Sequence, residues 1–187
     1  MRLTSTIAPR AAPTPAPTIP APTEQIRILL LGSDIREDNS FRTDVILLLI
    51  INPAEGTASV VSFPRDLYVY LPYGEFARIN TVQYHGFKFM ADTMESNFGV
   101  RPQYYMMTNL DGFVKIIDGL GGIDVNVGEP LTDKCDLPSR DAQGNCTVAA
   151  GSVRMDGQFA LWYVRSRYST DDMERLRRSQ EVLMGVF

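Results

Sequence analysis

Three short polar segments pair an aspartate with an arginine, and each lies next to an apolar run: residues 32–36 (GSDIR), 42–44 (RTD) and 62–66 (SFPRD). In α/β sheets, ligands bind at strand ends, where loops converge and backbone groups are free. Asp34 and Asp44 can hold a hard divalent cation through carboxylate oxygens, while Arg42 and Arg65 can neutralise phosphate oxygens. This combination suits a pyrophosphate, although three unrelated surface ion pairs would produce the same pattern.

A second group of arginines lies near the C-terminus. Five fall within fourteen residues, more than the acidic residues at 171, 172, 174 and 181 can neutralise: Arg165, Arg167, Arg175, Arg177 and Arg178. In a helix, Arg175 and Arg178 share a face at i, i+3. Arg165, Arg167, Arg175 and Arg178 would form a strong anion site beside the other segments, whereas Arg177 fits a solvated helix face. The preference for Arg over Lys does not decide this, because a GC-rich genome and selection for a phosphate-gripping fork would both produce it.

The elements that must position these residues mix strands and helices along the chain. We predict strands at 26–31, 45–51, 57–62, 67–71, 103–108 and 123–127, and helices at 80–97, 110–120, 156–167 and 172–187. The first two strands are uniformly apolar, which is typical of buried central strands. Asn109 can cap the helix that follows it. The order predicts an α/β fold, an α-β-α sandwich around one mixed central β-sheet.

The chain has the length and composition of one globular domain with a short extension. It has 187 residues, of which 44% are hydrophobic, and residues 9–22 hold six of its twelve prolines. We therefore predict a disordered Pro/Thr/Ala-rich linker at 1–23 and a folded domain at 24–187. No apolar run reaches the roughly 18 residues needed to cross a bilayer. The linker suits a tether, so we expect a membrane anchor N-terminal to this chain, and the helix-like pattern at 181–187 predicts that the domain is cut at its C-terminus.

Charge and cysteine content narrow the possible partners and compartment. The formal net charge of −4 argues against a general nucleic-acid coat, because that binding needs excess cationic surface. Cys135 and Cys146 lie in a polar, turn-rich segment, which favours a short disulfide loop in an oxidising compartment over two free thiols. The single histidine, His85, has no nucleophile partner nearby, and the chain lacks the Cys and His residues of a zinc site.

These segments, taken in order, resemble the LytR-CpsA-Psr family of cell-wall glycopolymer ligases. The resemblance covers residues 24–187. Its matching segments are LLLGSDIR at 29–36, RTDVILL at 42–48, SFPRDLYV at 62–69, GFVKIIDGLGGIDVNV at 112–127, MDGQFALWYVRSR at 155–167 and DDMERLRRSQ at 171–180. Each segment alone is weakly diagnostic, but their order and spacing together are highly specific.

The resemblance implies a phosphotransferase at the extracytoplasmic face of the bacterial membrane. Such proteins bind a polyprenyl pyrophosphate with Mg²⁺, or Mn²⁺, and transfer the glycopolymer phosphate to a muramic acid hydroxyl of peptidoglycan. Asp34 and Asp44 match the metal-associated aspartates, and they are the nearest candidates for a general base. With Arg65 they form the expected catalytic group.

The same resemblance assigns the pyrophosphate-binding residues: Arg36, Arg42, Arg65, Arg165, Arg167, Arg175, Arg178 and Ser179. Where the family usually has Arg-Gln-Gln, this chain has Arg178-Ser179-Gln180, so the first glutamine's contact to phosphate is lost or is supplied by the Ser179 hydroxyl. The prenyl tail would need an apolar slot, for which the large apolar residues of the predicted helices are candidates. Two alternatives remain: a module that binds the same lipid or wall polymer without turnover, and a pyrophosphatase with water as the acceptor.

Overall fold

The structure is a computed structural model that describes residues 12–17, 25–35, 41–167 and 172–187. The described strands are β1 (Ile26–Ile35), β2 (Phe41–Asn52), β3 (Thr57–Ser62), β4 (Tyr68–Tyr70), β5 (Phe76–Arg78), β6 (Tyr104–Thr108), β7 (Ile123–Val127), β8 (Leu131–Lys134), β9 (Asn145–Val148) and β10 (Gly151–Met155). The helices are a 3₁₀ helix (Ile79–His85), α1 (Phe87–Phe98), α2 (Leu110–Gly119), α3 (Gly157–Arg165) and α4 (Asp172–Met184).

The central sheet has four strands in the order β3-β2-β1-β6. Strand β1 pairs antiparallel with β2 and parallel with β6, and β2 pairs antiparallel with β3. Its apolar strands are covered on one face by the 3₁₀ helix and α1, whose Ile79, Met90 and Met94 pack on Leu29 and Leu48. The predicted α/β fold with a mixed central sheet flanked by helices is confirmed.

A second core lies around α2, α3 and α4. It includes Ile117 of α2, Tyr163 of α3 and Val182 of α4, packed with the apolar residues of the two-stranded antiparallel sheet formed by β7 and β10. Helix α2 also contacts β1 and β6, and α4 contacts β3. This second core therefore holds the C-terminal helices against the central sheet.

The prediction of one continuous helix over 80–97 is wrong. Instead of one helix over 80–97, the structure has the 3₁₀ helix and α1, separated at Gly86 with φ 92° and ψ 164°. Only glycine adopts that backbone conformation without strain, so the helical pattern breaks there. The prediction that Asn109 caps α2 is confirmed, because its side chain accepts a hydrogen bond from the Gly112 amide.

Four short strands were not predicted: β5, β8, β9 and β10. They are strands of three to five residues in two-stranded antiparallel sheets, where the alternation of polar and apolar residues is too brief to give a clear period. The hairpin of β8 and β9 carries the predicted disulfide between Cys135 and Cys146, which is present in the structure.

The proline-rich N-terminal segment is described only at residues 12–17, which have no regular secondary structure. The amide of Ala16 donates a hydrogen bond to the carbonyl of Ser96 near the end of α1. Among the described residues, no helix has the length and apolar character needed to span a bilayer.

Candidate functional site

The two predicted metal aspartates lie at the paired ends of β1 and β2. Asp34 is opposite Arg42 in the strand register, and a bulge follows in which Gly32 pairs with Val45 and Ser33 with Thr43. Asp44 is therefore the extra residue of the bulge. Bulges redirect a side chain out of the regular alternation, and here the redirected carboxylate meets Arg65.

Arg65 follows β3 and lies close to the beginning of β2, where Asp44 is located. Its Nη1 atom donates to Asp44 Oδ1 at 2.9 Å, and its Nε atom lies 3.3 Å from Asp66 Oδ2 without hydrogen-bond geometry. Burial alone would lower the pKa of Arg65, but the hydrogen bond and charge of Asp44 outweigh it and raise the pKa above its ordinary value. The guanidinium stays charged, with one N–H that has no hydrogen-bond partner among the described residues.

Arg175 of α4 brings a second buried guanidinium to the same place. It is 7% exposed, and its Nη1 atom lies 3.4 Å from Asp172 Oδ1. Burial, and next the charge of Arg167, lower the pKa of Arg175; Arg65 acts in the same direction, while Asp172 and Asp44 oppose it. Arg65 is thus hydrogen-bonded to Asp44, and the charges of Arg167, Arg65 and Asp44 all act on Arg175, although Arg167 itself is exposed. We call these four residues the anion site.

Arginines outnumber carboxylates among the four residues of the anion site. The carboxylates are the more exposed partners: Asp44 is 39% exposed and Asp172 is 62% exposed, against 24% for Arg65. Exposed carboxylates are well solvated and can be displaced or can take a metal, whereas the half-buried guanidinium groups lose most by remaining unpaired. Such a site favours a ligand with several anionic oxygens.

Other predicted site residues are not joined to the anion site by a described contact. Asp34 is exposed, Arg42 is half-buried opposite it, and Arg165 is exposed in the last turn of α3. Arg36 lies outside the described residues. The membership of these four in the site stays a prediction.

Arg178 and Ser179 face the protein interior. Arg178 is 1% exposed, donates from Nη2 to the carbonyl of Ser166 at 2.6 Å and lies 5.8 Å from the ring centre of Tyr163. The Ser179 hydroxyl donates to the carbonyl of Arg175 at 3.0 Å, one turn back in α4. Their described contacts are thus with α3 and with the backbone of α4, and their predicted contact with phosphate is not tested by the structure.

Arg177 lies on another side of α4 and is paired. It contacts Glu174 and Glu181, and Glu181 also accepts hydrogen bonds from the Tyr163 hydroxyl and the Gly128 amide. The predicted solvated face is therefore an ion-pair network that joins α4 to α3 and to the end of β7.

Three hydrogen bonds that the sequence did not predict help to build the site. Gln180 Nε2 donates to Ser62 Oγ at 2.7 Å, which links α4 to the end of β3, two residues before Pro64. The amide of Asn80 donates to the carbonyl of Arg65, while the Asn80 carbonyl accepts from the Thr43 hydroxyl. The Gln180 contact could be suspected from its place in the Arg-Ser-Gln segment. The Asn80 contacts use the backbone, which leaves no residue signature.

The donors near the anion site fit a divalent cation only in part. The described residues contain no group of three or more His, Cys, Asp or Glu side chains that could hold a metal. Mg²⁺ is commonly bound by one or two carboxylates, with phosphate oxygens and water completing its shell. Asp34 and Asp44, on neighbouring strand ends, match that smaller requirement.

The large apolar residues of the predicted helices, named above as candidates for a prenyl slot, are divided between core and surface. The group is Phe87, Phe89, Met90, Met94, Phe113, Ile116, Ile117, Phe159, Leu161 and Trp162. Met90, Met94 and Ile117 are fully buried core residues, while Ile116 is 47% exposed. Most of the group therefore serves the two cores.

Comparison with protein families decides the assignment. Residues 5–187 match the model of the LytR_cpsA_psr family. The chain belongs to the LytR-CpsA-Psr family. The match begins within the proline-rich segment, upstream of the first strand.

Named relatives agree with this assignment. The chain is 31% identical over 172 residues to the polyisoprenyl-teichoic acid–peptidoglycan teichoic acid transferase TagT of Bacillus subtilis (strain 168), covering 87% of this chain and 52% of the relative. A second relative, the transferase TagU of Bacillus cereus (strain AH820), is 31% identical with the same coverage. The chain thus spans about half the length of these relatives.

Solved structures show the same fold. The structure of B. subtilis TagV matches with a TM-score of 0.72 and 26% identity, covering 89% of this chain and 65% of that one. A LytR-CPS2A-psr family protein, YwtF (TagT), with bound octaprenyl pyrophosphate lipid matches with a TM-score of 0.66 and 27% identity, covering 88% and 64%.

Proposed function

We propose that this protein transfers a glycopolymer phosphate from a polyprenyl-pyrophosphate carrier to a muramic acid hydroxyl of peptidoglycan. The observation that carries the proposal is the hydrogen bond between Arg65 and the bulged Asp44, with the buried guanidinium of Arg175 within electrostatic reach of both. Family membership and the names of the relatives support the reaction class. The bound octaprenyl pyrophosphate of a structural relative supports the donor lipid.

The reaction would exchange one phosphorus–oxygen bond for another. The acceptor hydroxyl oxygen attacks the phosphorus atom that bears the sugar, the bond to the bridging oxygen breaks, and polyprenyl phosphate leaves. Negative charge spreads over the non-bridging oxygens, where guanidinium groups stabilise it without a covalent enzyme intermediate. Arg65 and Arg175, both held in place by carboxylates, are preorganised for this.

The acceptor proton needs a base, and the two aspartates differ in fitness for it. Asp44 accepts a hydrogen bond from Arg65, so one of its carboxylate oxygens is already engaged. Asp34 is exposed at the end of β1. We assign Asp44 the role of orienting Arg65, and Asp34 the role of base through the carboxylate oxygen that a bound metal ion would leave free.

A divalent cation, when bound by Asp34 and Asp44, would supply further charge stabilisation to the phosphate oxygens. Mg²⁺ or Mn²⁺ suits these oxygen donors. Metal dependence is tested by assaying transfer after chelation and after addition of each ion, with ligand-induced changes in thermal stability as a second readout.

The compartment follows from the disulfide and the substrates. Cys135 and Cys146 are bonded in the structure, which suits an oxidising environment. Lipid-linked wall polymers and peptidoglycan meet outside the bacterial membrane, so we place the reaction at its extracytoplasmic face.

A reconstituted transfer assay tests the proposal. The chain is incubated with a lipid-linked disaccharide pyrophosphate, Mg²⁺ and peptidoglycan fragments, and the new phosphodiester is detected by mass spectrometry. We expect product with the wild type, and a loss of at least about 100-fold with Arg65→Met or Asp44→Asn. The matched control is Arg154→Met, which removes an exposed arginine that pairs with Asp124 on the sheet of β7 and β10.

The other outcomes have definite meanings. Release of free sugar phosphate would identify a pyrophosphatase, and binding of the lipid without any product would identify a binding module. Full transfer by both site variants would contradict the assignment of the anion site.

A further inference from the structure

The two halves of the C-terminal arginine group come from different elements. Arg165 and Arg167 flank Ser166 at the C-terminal end of α3, while Arg175 lies on α4. For Arg167 and Arg175 to act on one ligand, the end of α3 must be fixed relative to α4. Their like charges oppose this, since Arg167 is near enough to lower the pKa of Arg175.

Arg178 makes the contact that fixes this junction. Its guanidinium, 1% exposed, donates to the carbonyl of Ser166, the C-cap residue of α3. The last carbonyls of a helix lack intrahelical partners and carry partial negative charge, so a cation there is favourable. The bonded carbonyl belongs to the residue between Arg165 and Arg167.

Two further residues, Tyr163 and Glu181, extend the contacts of Arg178. The Arg178 guanidinium lies 5.8 Å from the Tyr163 ring centre, and the Tyr163 hydroxyl donates to Glu181 Oε2 at 2.5 Å. Glu181 belongs to α4, one turn after Arg177. These contacts link Arg178 of α4 to Tyr163 of α3, and Tyr163 in turn to Glu181 of α4, so the two helices are joined at two positions.

We propose that Arg178 is a positioning residue: it holds the C-terminal end of α3 against α4 so that Arg167 stands beside Arg175 in the anion site. This role differs from direct binding of phosphate, which its place in the Arg-Ser-Gln segment suggests. The inference rests on the proposed function, because it assumes that the anion site binds a pyrophosphate. Arg178 acts on that ligand only through Arg167 and Arg175.

Binding of inorganic pyrophosphate, measured by calorimetry as a function of salt, separates the roles. The variants are Arg178→Met, Arg178→Lys, Arg175→Met and the control Arg154→Met. Arg154 is a fitting control because its guanidinium also donates to a backbone carbonyl, that of Gly121, but outside the anion site. All measurements are made well below each variant's unfolding temperature, so that a change in stability alone leaves affinity unaltered.

We expect Arg178→Met to weaken pyrophosphate binding about tenfold, the scale on which supporting contacts affect a ligand site. Its dependence on salt should match that of the wild type, because no phosphate contact is lost. Arg175→Met should weaken binding and also flatten the salt dependence, since one screened charge contact disappears. Arg178→Lys keeps a cation at the end of α3 and should restore most of the affinity, and Arg154→Met should behave as the wild type.

Three results would overturn the inference. A flattened salt dependence for Arg178→Met, equal to that of Arg175→Met, would make Arg178 a direct ligand. Unchanged affinity would leave it a purely structural residue, and if the Met variant does not fold, unchanged affinity in Tyr163→Leu carries the same meaning. Failure of the wild type to bind pyrophosphate would instead remove the proposed function, and this inference with it.

Discussion

Two sides of α4 carry the same residue type in opposite circumstances. Arg175 faces Arg65 and Arg167, where cations gather and the nearest carboxylates are exposed. Arg177 faces Glu174 and Glu181, which pair with it from one turn before and one turn after it in the helix. The comparison teaches that an arginine indicates an anion site when other arginines lie near it and its carboxylate partners are exposed, and that its position in a motif is a weaker guide.

Removing each arginine in turn should separate the two sides. Arg175→Met should cost about 2–3 kcal/mol of pyrophosphate binding, because charged hydrogen bonds to phosphate are lost. Arg177→Met should change affinity less than about twofold while lowering the free energy of unfolding by about 1–3 kcal/mol, because the partly buried Glu181 loses its cationic partner. Calorimetric titration and urea denaturation measure the two effects, and similar binding losses in both variants would break the comparison.

The disulfide should act on stability without acting on the ligand. Cys146 belongs to the second core, and the bond to Cys135 closes a loop with a sequence separation of 11. Replacing both cysteines by serine should lower the free energy of unfolding by about 2–3 kcal/mol, mainly by loosening the unfolded chain. Denaturation of the oxidised wild type and of the double variant gives the difference; pyrophosphate affinity that fell along with stability would show that the hairpin also shapes the site.

A single hydrogen bond on the Arg177 side of α4, from the Tyr163 hydroxyl to Glu181, can be removed separately. Tyr163→Phe keeps the ring next to Arg178 and removes only the hydrogen bond to Glu181. We expect a loss of about 1 kcal/mol in the free energy of unfolding, the usual contribution of one such bond. Thermal denaturation at neutral pH measures it, with Tyr104→Phe on the exposed edge strand β6 as the control.

The smallest effect is expected at Ser179. Its hydroxyl donates to the Arg175 carbonyl within α4, and such back-bonding adds little to helix stability. Ser179→Ala should therefore change pyrophosphate affinity by less than about twofold. A loss near tenfold, measured by the same titration, would mean that the hydroxyl turns to the phosphate and replaces the family's usual glutamine.

Much of the fold could be predicted because its signals are local. The apolar runs of β1 and β2 and the Asn109 cap of α2 are strong patterns, and the mixed sheet follows from the order of elements. The break at Gly86 was missed because an isolated glycine within a helical pattern is often tolerated. Short hairpins such as β8 with β9 are stabilised by pairing and by the second core more than by their own sequence.

The candidate site was predictable in its residue types but less so in its geometry. The segments containing Asp44 and Arg65 suggested a shared site, and a hydrogen bond between the two side chains joins them in the structure. The bulge that directs Asp44 toward Arg65 has no sequence pattern that predicts it. The C-terminal arginines could not be sorted by spacing alone. Arg175 and Arg178 are both buried on α4, but their surroundings differ. Arg175 pairs with Asp172 and lies within electrostatic reach of Arg65, whereas Arg178 donates to the carbonyl of Ser166.

A crystal structure of this chain with a prenyl pyrophosphate and Mg²⁺ tests the central claim most directly. We predict that the pyrophosphate lies among Arg65, Arg167 and Arg175, with its oxygens within hydrogen-bond distance of their guanidinium groups and Arg178 still bonded to Ser166. A pyrophosphate bound elsewhere on the molecule would contradict the anion site. An Arg178 that leaves Ser166 to contact phosphate would contradict the division between the two sides of α4.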